Sequence, residues 1–183
     1  FKRIIKILNY MIKSYAKINL SLNVLGRISS KFHKIETLIS FIDLNDEINI
    51  KKINKKNHKI YFYGKFAKGI SNKNTVSKLI SLMDKDNLLK GKKYLIKIKK
   101  NIPQKAGLGG GSMNAASLIR YFLSKKNLII NRNKLIKLSK KIGSDVNFGL
   151  KLNNAILLSN QNILRTKKKN GLYCVLVKPS FGC

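Results

Sequence analysis

A glycine-rich segment followed by an apolar helix pattern offers a site for phosphate. Residues 107–111 contain four glycines, and Ser112 follows them as a candidate N-cap. Glycine leaves backbone N–H groups bare and adopts positive φ at little cost. A strand pattern precedes the segment, and N–H groups and the helix dipole converge at a helix N-terminus. We therefore expect this segment to bind a nucleotide.

Two common nucleotide-binding loops do not fit these residues. A P-loop requires Gly-Lys-Ser or Gly-Lys-Thr at the end of the glycine run, whereas Gly111 is followed by Ser112 and Met113. The dinucleotide fingerprint requires a glycine where Ser112 stands, and an acidic residue about 20 positions further on, which is also missing. The remaining alternative is a glycine-rich turn that only caps a helix.

One carboxylate stands alone in the second half of the sequence. Beyond Asn87 the only acidic residue is Asp145, just after a predicted helix that Gly143 ends. An enzyme that phosphorylates an alcohol needs a carboxylate near the hydroxyl proton and a cation near the phosphoryl oxygens. Asp145 is a candidate for the first role, and an ordinary capping aspartate is the alternative. Lysines are too numerous for composition to select the cation.

The composition bounds the class of protein. The 183 residues are 44% hydrophobic and predict one compact domain with a core. A net charge of +32, from 39 basic and 7 acidic residues, ordinarily indicates a nucleic-acid partner. However, base readers rely on the bidentate arginine side chain, and the basic residues are mostly lysine. Lysine, asparagine and isoleucine all have A/T-rich codons, so we interpret the charge as incidental.

The sequence contains few features that indicate a cellular compartment or a role for cysteine. No apolar run approaches the length that spans a bilayer. Cys174 and Cys183 form neither a disulfide framework nor a metal-ligand spacing. We expect a cytoplasmic protein.

The periodicity of apolar residues predicts the elements that position these groups. Helices are expected after Asn74 or Thr75, after Ser112, and from an N-cap at Asn133 to Gly143. His58, in a basic loop, is expected to be solvated. Strands are expected at 14–24 (as a pair), 35–44, 47–53, 59–63, 94–99, 154–159, 162–166 and 172–177. This order predicts an α+β fold.

Several motifs together resemble one family. Residues 103–116 resemble the phosphate loop of the GHMP small-molecule kinases, named for galactokinase, homoserine kinase, mevalonate kinase and phosphomevalonate kinase. The segments 16–20, 32–33, 36–38, 41–46 and 143–146 resemble, in the same order, motifs of one branch of this family. That branch phosphorylates the 2-hydroxyl of a cytidine-diphosphate-linked methylerythritol in isoprenoid precursor synthesis. The resemblance extends from Ala16 to about Pro179. It implies a domain like the second domain of ribosomal protein S5, with a twisted, mostly antiparallel sheet and helices on one side.

The resemblance also implies roles for individual residues. Lys17 is expected to be the catalytic cation and Asp145 the base. Asn19 is expected to hold the methylerythritol hydroxyl, and His33 to bind the cytosine edge with Phe32 beside it.

The nucleotide side of the site is implied in the same way. ATP is the expected phosphate donor, with Mg²⁺ as its complex and no separate metal site. Asn74 and Lys100 are expected near the adenine. The loop residues expected around the phosphates are Pro103, Gln104, Lys105, Ala106, Gly107, Leu108, Gly109, Gly110, Gly111, Ser112 and Met113.

Three positions depart from the branch pattern. Lys31 replaces a glycine, Phe32 lacks the usual tyrosine hydroxyl, and Asn147 replaces a proline. These changes affect the cytidine pocket more than the pair that transfers phosphate.

The family is also longer than this sequence. We expect residues 11–170 to be the N-terminal, ATP-binding domain and 171–183 the start of a second domain, in a fragment or a decayed gene. A decayed, inactive kinase and a basic nucleic-acid-binding module on the S5-like fold remain as alternatives.

Overall fold

The structure, a computed structural model, describes residues 10–29, 32–126, 128–160, 162–166 and 171–177. The part described contains six strands, three α-helices and a short 3₁₀ helix. In chain order they are β1 (Tyr10–Ser29), β2 (Phe32–Ile53), β3 (Lys59–Tyr63), α1 (Thr75–Lys85), β4 (Lys93–Lys99), α2 (Gly110–Ser124), α3 (Arg132–Ile142), the 3₁₀ helix (Ser144–Leu150), β5 (Ala155–Leu157) and β6 (Ile163–Arg165).

The long strand β2 organises the sheet. β1 runs antiparallel along one edge of β2. On the other edge, β4 pairs with residues 47–53 and β5 with residues 37–39, both antiparallel. β3 is parallel to β4, and β6 is antiparallel to β5. The predicted α+β fold with a mostly antiparallel sheet is therefore confirmed.

Alternation along the strands separates a buried face from an open face. Ile48 and Ile50 of β2 pair in register with Ile98 and Ile96 of β4, and all four are at most 1% exposed. They form one apolar cluster with buried residues of α1, α2 and α3. Because successive strand residues point to opposite faces, residues such as Lys97 lie on the other face and are exposed. The helices thus cover one side of the sheet.

The strands at the start of the domain are longer and fewer than predicted. The pair expected at 14–24 is a single strand, β1, and the strands expected at 35–44 and 47–53 form the continuous strand β2. Tyr15 pairs with Asn45, but Ala16 pairs with Ile42, so two residues of β2 are extra at this point. Such a bulge interrupts the period of two that a strand pattern requires, which is why the sequence indicated two strands.

The structure corrects two predicted helix starts and confirms a third. Of the two predicted N-caps, Asn74 and Thr75, it is Asn74 that caps α1, and its Oδ1 accepts the backbone N–H groups of residues 76 and 77 at 3.0 Å. The N-cap of α3 is Asn131, not Asn133, because the Asn131 side chain accepts the N–H of residue 134 at 2.9 Å. The N-cap of α2 is Gly109, and Ser112 lies three residues into the helix.

The side chain of His58 is buried, which contradicts the expectation that it is solvated. Its side chain is 7% exposed. Its Nδ1 accepts the backbone N–H of Tyr94 at 3.1 Å, and its Nε2 lies 3.2 Å from Asp84 Oδ1. Lys93 donates to the other oxygen of Asp84 at 2.7 Å. The partners come from α1 and β4, which the local basic sequence around His58 does not indicate.

The end of the described chain only partly follows the prediction. The expected strands at 154–159 and 162–166 are confirmed as the shorter β5 and β6. Residues 171–177 are exposed and form no regular element, so the strand predicted at 172–177 is wrong.

Candidate active site

The glycine loop contains three residues in the left-handed conformation. Lys105, Gly107 and Gly109 have φ of 52°, 68° and 67°, whereas the intervening residues do not have positive φ. A left-handed residue at every second position is typical of a nest, a turn whose successive backbone N–H groups bind an anion. The nest leads directly into the first turn of α2.

The N-terminus of α2 differs from that of α1 in its capping. No described side chain caps α2, and its first turn holds no acidic residue. The α1 terminus, in contrast, is closed by the side chain of Asn74. The first N–H groups of a helix have no partner within the helix, so those of α2 are left without a side-chain acceptor.

A cavity of about 420 Å³ opens in front of this loop. Residues 103–112 line it, together with Asn74 and Lys100. The α1 and α2 termini meet there, because Thr75 Oγ1 donates to the carbonyl oxygen of Gly111 at 2.7 Å. Met113 does not line the cavity: it is 2% exposed, and its sulfur lies close to Gly149.

Lys17 of β1 lies across the start of α2. Its backbone N–H donates to the carbonyl oxygen of Leu108 at 3.0 Å, which ties β1 to the loop. Its ammonium lies 3.5 Å from Asp145 Oδ2. A Cβ atom added to Gly109 would lie 2.9 Å from Lys17 Cγ and 3.6 Å from Asp145 Oδ2. The structure therefore brings both predicted catalytic residues to the uncapped end of α2.

Asn19 is held in one orientation beside this pair. Its Oδ1 accepts a hydrogen bond from Lys17 Nζ at 2.7 Å. Its Nδ2 donates to Thr37 Oγ1 at 2.7 Å, and the Thr37 hydroxyl donates to the carbonyl oxygen of Ser21 at 2.6 Å. Lys17 and Asn19 share a side of β1 because strand residues two apart point the same way.

The element that carries Asp145 is anchored by Arg165 of β6. Asp145 lies in the first turn of the 3₁₀ helix, and its side chain is 29% exposed. The Arg165 guanidinium donates to the carbonyl oxygens of Asn147 and Phe148, both at 2.8 Å, and to that of Lys151 at 2.9 Å. Burial lowers the pKa of Arg165 from its ordinary value. These hydrogen bonds hold in place the 3₁₀ helix that carries Asp145.

For the remaining predicted site residues, the polar side-chain groups are engaged elsewhere or the side chains are not described. The amide of Asn74 is engaged in the α1 cap and donates to the carbonyl oxygen of Ser71 at 2.8 Å. The ammonium of Lys100 is buried and pairs with Asp46. Phe32 and His33 begin β2, but their side chains lie outside the described part of the structure.

Sequence reasoning missed several residues of the site's framework. Four side chains form hydrogen bonds that hold the loop or the 3₁₀ helix in place: Asp46 as acceptor, and Thr75, Asn114 and Arg165 as donors. Asp46 and Asn114 belong to the motifs that resemble the kinase family, and this was the available signal. Arg165 carried none, because its carbonyl partners are set only by the fold.

The described ranges hold neither a cluster of metal ligands nor a membrane-spanning helix. Among those residues, no three His, Cys, Asp or Glu side chains lie close enough together to hold a metal ion. No helix in them combines the length and apolar character needed to cross a membrane.

Comparison with known proteins identifies the class. Residues 74–154 match the family described as the GHMP kinases N terminal domain. A crystal structure of 4-(cytidine 5'-diphospho)-2C-methyl-D-erythritol kinase aligns with a TM-score of 0.68 and 24% identity, over 86% of this chain and 55% of that one. The Methanococcus jannaschii mevalonate kinase aligns with a TM-score of 0.59 and 15% identity, over 87% and 56%. Over residues 74–154 the chain is thus similar in sequence to the GHMP kinases, and it has the fold of their N-terminal domain.

Sequence relatives narrow the likeness to one branch. The chain is 55% identical, over 96% of its length, to a Pelagibacter ubique (strain HTCC1062) protein named 4-diphosphocytidyl-2-C-methyl-D-erythritol kinase. A Bacillus cereus (strain Q1) protein of the same name is 31% identical over 96% of this chain. The chain spans 62% and 60% of the length of these two relatives.

Proposed function

We propose that this chain is the ATP-binding part of a kinase that phosphorylates the 2-hydroxyl of 4-diphosphocytidyl-2-C-methyl-D-erythritol, in the non-mevalonate route to isoprenoid precursors. The observation that carries the proposal is the meeting of Lys17, Asp145 and the uncapped N-terminus of α2 within one small region. The 55% identity to the Pelagibacter ubique kinase supports the choice of substrate. We also propose that residues 11–170 form the ATP-binding domain, that 171–183 begin a second one, and that the protein acts in the cytoplasm.

The loop binds the phosphates of ATP in this proposal. Its left-handed residues are typical of an anion-binding nest, the N–H groups at the start of α2 have no capping side chain, and the helix dipole favours negative charge there. Mg²⁺, brought as the complex of the nucleotide, would offset charge on the phosphates, and phosphate oxygens rather than a separate protein site would hold it.

Lys17 and Asp145 divide the chemistry of the transfer. The Asp145 carboxylate accepts the proton of the acceptor hydroxyl as its oxygen forms a bond to the γ-phosphorus. The bond between that phosphorus and the β–γ bridging oxygen breaks, and ADP leaves with the bond electrons. The Lys17 ammonium, 3.5 Å from the carboxylate, offsets the negative charge on the phosphoryl oxygens.

The remaining residues bind and orient the two substrates. Asn19, fixed by Thr37 and Lys17, holds the methylerythritol hydroxyl near Asp145. Phe32 and His33 are proposed to contact the cytosine, and Asn74 and Lys100 the adenine.

Two measurements test the proposal. Calorimetric titration of the chain with ATP should give saturable binding of one nucleotide. The product of the complete reading frame, incubated with ATP, should release ADP with the cytidine-linked methylerythritol and not with mevalonate or homoserine. Activity on mevalonate or homoserine would assign the protein to another branch. ATP binding without transfer to any of the three acceptors would favour a decayed kinase.

A further inference from the structure

A buried carboxylate lies directly behind the phosphate loop. Asp46 of β2 is 0% exposed. Its Oδ1 accepts the backbone N–H groups of Asn101 at 2.8 Å and Ile102 at 2.9 Å. Its Oδ2 accepts the side-chain amide of Asn114 at 3.0 Å and pairs with the ammonium of Lys100. Four donors from two separate segments therefore meet on one carboxylate.

These donors belong to the two ends of the loop. Asn101 and Ile102 immediately precede the loop at Pro103, whereas Asn114 lies in α2, which follows it. The ends also touch, because a Cβ added to Gly110 would lie 3.1 Å from Ile102 Cγ2. The segment that enters the loop and the helix that follows it therefore lie side by side, and Asp46 accepts hydrogen bonds from both.

Asp46 does not reach the cavity, although two of its partners do. Lys100 and Asn114 line the cavity in front of the loop, whereas Asp46 is not part of its wall. Any effect of Asp46 on a ligand must therefore pass through the loop and through these two side chains. A carboxylate suits this place because it accepts on both oxygens and donates nothing. A buried charge is tolerated only when hydrogen bonds and an opposite charge satisfy it.

We propose that Asp46 is a positioning residue that clamps the two ends of the phosphate loop, so that the N–H groups of the nest stay aligned for phosphate. Without the clamp the loop samples other conformations, and phosphate binding must supply the cost of ordering it again. The role in nucleotide binding rests on the proposed function. The ordering of the loop does not, and it can be measured without any nucleotide.

The test uses Asp46→Asn in the full 183-residue chain. Asparagine keeps the shape, but its Nδ2 faces the Lys100 ammonium and the Asn114 amide, which are themselves donors. We expect amide hydrogen exchange in 103–112 to rise at least tenfold while exchange in β4 stays within about twofold. We expect the Kd for ATP to rise at least tenfold.

Two further variants distinguish positioning from a general loss of stability. The double variant Asp46→Asn with Asn114→Asp exchanges the amide and the carboxylate, so that position 46 donates and position 114 accepts. This variant should restore most of the loop protection and of the ATP affinity. The matched control is Asp84→Asn, which removes a carboxylate bonded to Lys93 and His58. This control should leave exchange in 103–112 and the Kd for ATP unchanged.

The outcomes separate the two hypotheses. Exchange that rises equally in β4 and in 103–112, or loop protection that the double variant fails to restore, would overturn the positioning role. If Asp46→Asn does not fold, Asn114→Ala replaces it and should raise exchange in 108–112 by the same mechanism. Loop exchange that responds as expected in a chain that never binds ATP would support the clamp and contradict the proposed function.

Discussion

Substitution of Gly109 by alanine has two effects: it strains a left-handed backbone, and it places a methyl group against Lys17. A matched substitution at Gly107 separates them. Gly109 and Gly107 have almost the same left-handed conformation, with φ of 67° and 68°. An alanine at either position bears the same backbone cost, about 1–2 kcal/mol. At Gly107 an added Cβ meets nothing within 4 Å, whereas at Gly109 it would lie 2.9 Å from Lys17 Cγ and 3.2 Å from Lys17 Cε. Gly107→Ala is therefore the matched control.

The size of the effect follows from these contacts. Carbon atoms in contact rest about 3.5–4.0 Å apart, so Lys17 must move by roughly 0.6–1 Å to admit the new methyl group at Gly109. A misplacement of about 1 Å in a reacting group can lower a rate about 10²-fold. We expect Gly109→Ala to transfer phosphate about 100-fold more slowly than Gly107→Ala. Both should lose similar stability, about 2–4 °C in Tm per kcal/mol.

The assay compares the two variants in the product of the complete reading frame. ADP release in the presence of the cytidine-linked methylerythritol measures transfer, and thermal unfolding measures stability. Equal transfer rates in the two variants, at similar Tm, would refute the placement of Lys17 at the reacting phosphate. A slower rate in Gly107→Ala than in Gly109→Ala would refute it as well.

Three further predictions concern the site, the fold and the charge. Asp145→Asn should lower the transfer rate about 10²–10⁴-fold and Lys17→Ala about 10²–10³-fold. The double variant should lose less than the product of the two single losses. Near-normal turnover in Asp145→Asn would exclude the mechanism. Partial burial raises the pKa of Asp84, but hydrogen bonds from Lys93 and His58 outweigh it and lower the pKa from its ordinary value. The stability that this carboxylate contributes is therefore present at neutral pH and lost as the pH falls through the lowered pKa. Melting curves from pH 7 to pH 3 should consequently show a shallower acid loss for Asp84→Asn than for the wild type. Binding to duplex DNA at physiological salt should be weak and independent of sequence, and it should fall steeply with added salt; tight, sequence-selective binding would instead favour the nucleic-acid-binding module.

Local features were predictable because their causes lie close together in the chain. The Asn74 cap depends on N–H groups two and three residues away, and the structure confirms it. The glycine pattern likewise led to a loop with left-handed residues at Gly107 and Gly109. At α3, Asn131 and Asn133 are equally suitable N-caps by residue type. The choice between them depends on where the helix packs, so this prediction failed.

Other features were hidden because their partners are remote. Asp46 accepts from residues 55, 56 and 68 positions further along the chain, and no local pattern distinguishes it from its neighbour Asp43. His58 looked like a solvated loop residue because its partners, Asp84 and Tyr94, lie 26 and 36 positions away.

The sequence by itself determined the chemistry that is available: a glycine loop before a helix, a lone carboxylate at Asp145, and a lysine motif at Lys17. Only the tertiary structure decided that these groups meet. Lys17 and Asp145 are far apart in sequence, and their 3.5 Å approach requires β1 to bond to the loop at Leu108. It also requires Arg165 to hold the turn that carries Asp145. Contacts of this kind arise from the packing of complete elements, whereas residue type and spacing specify only the elements themselves.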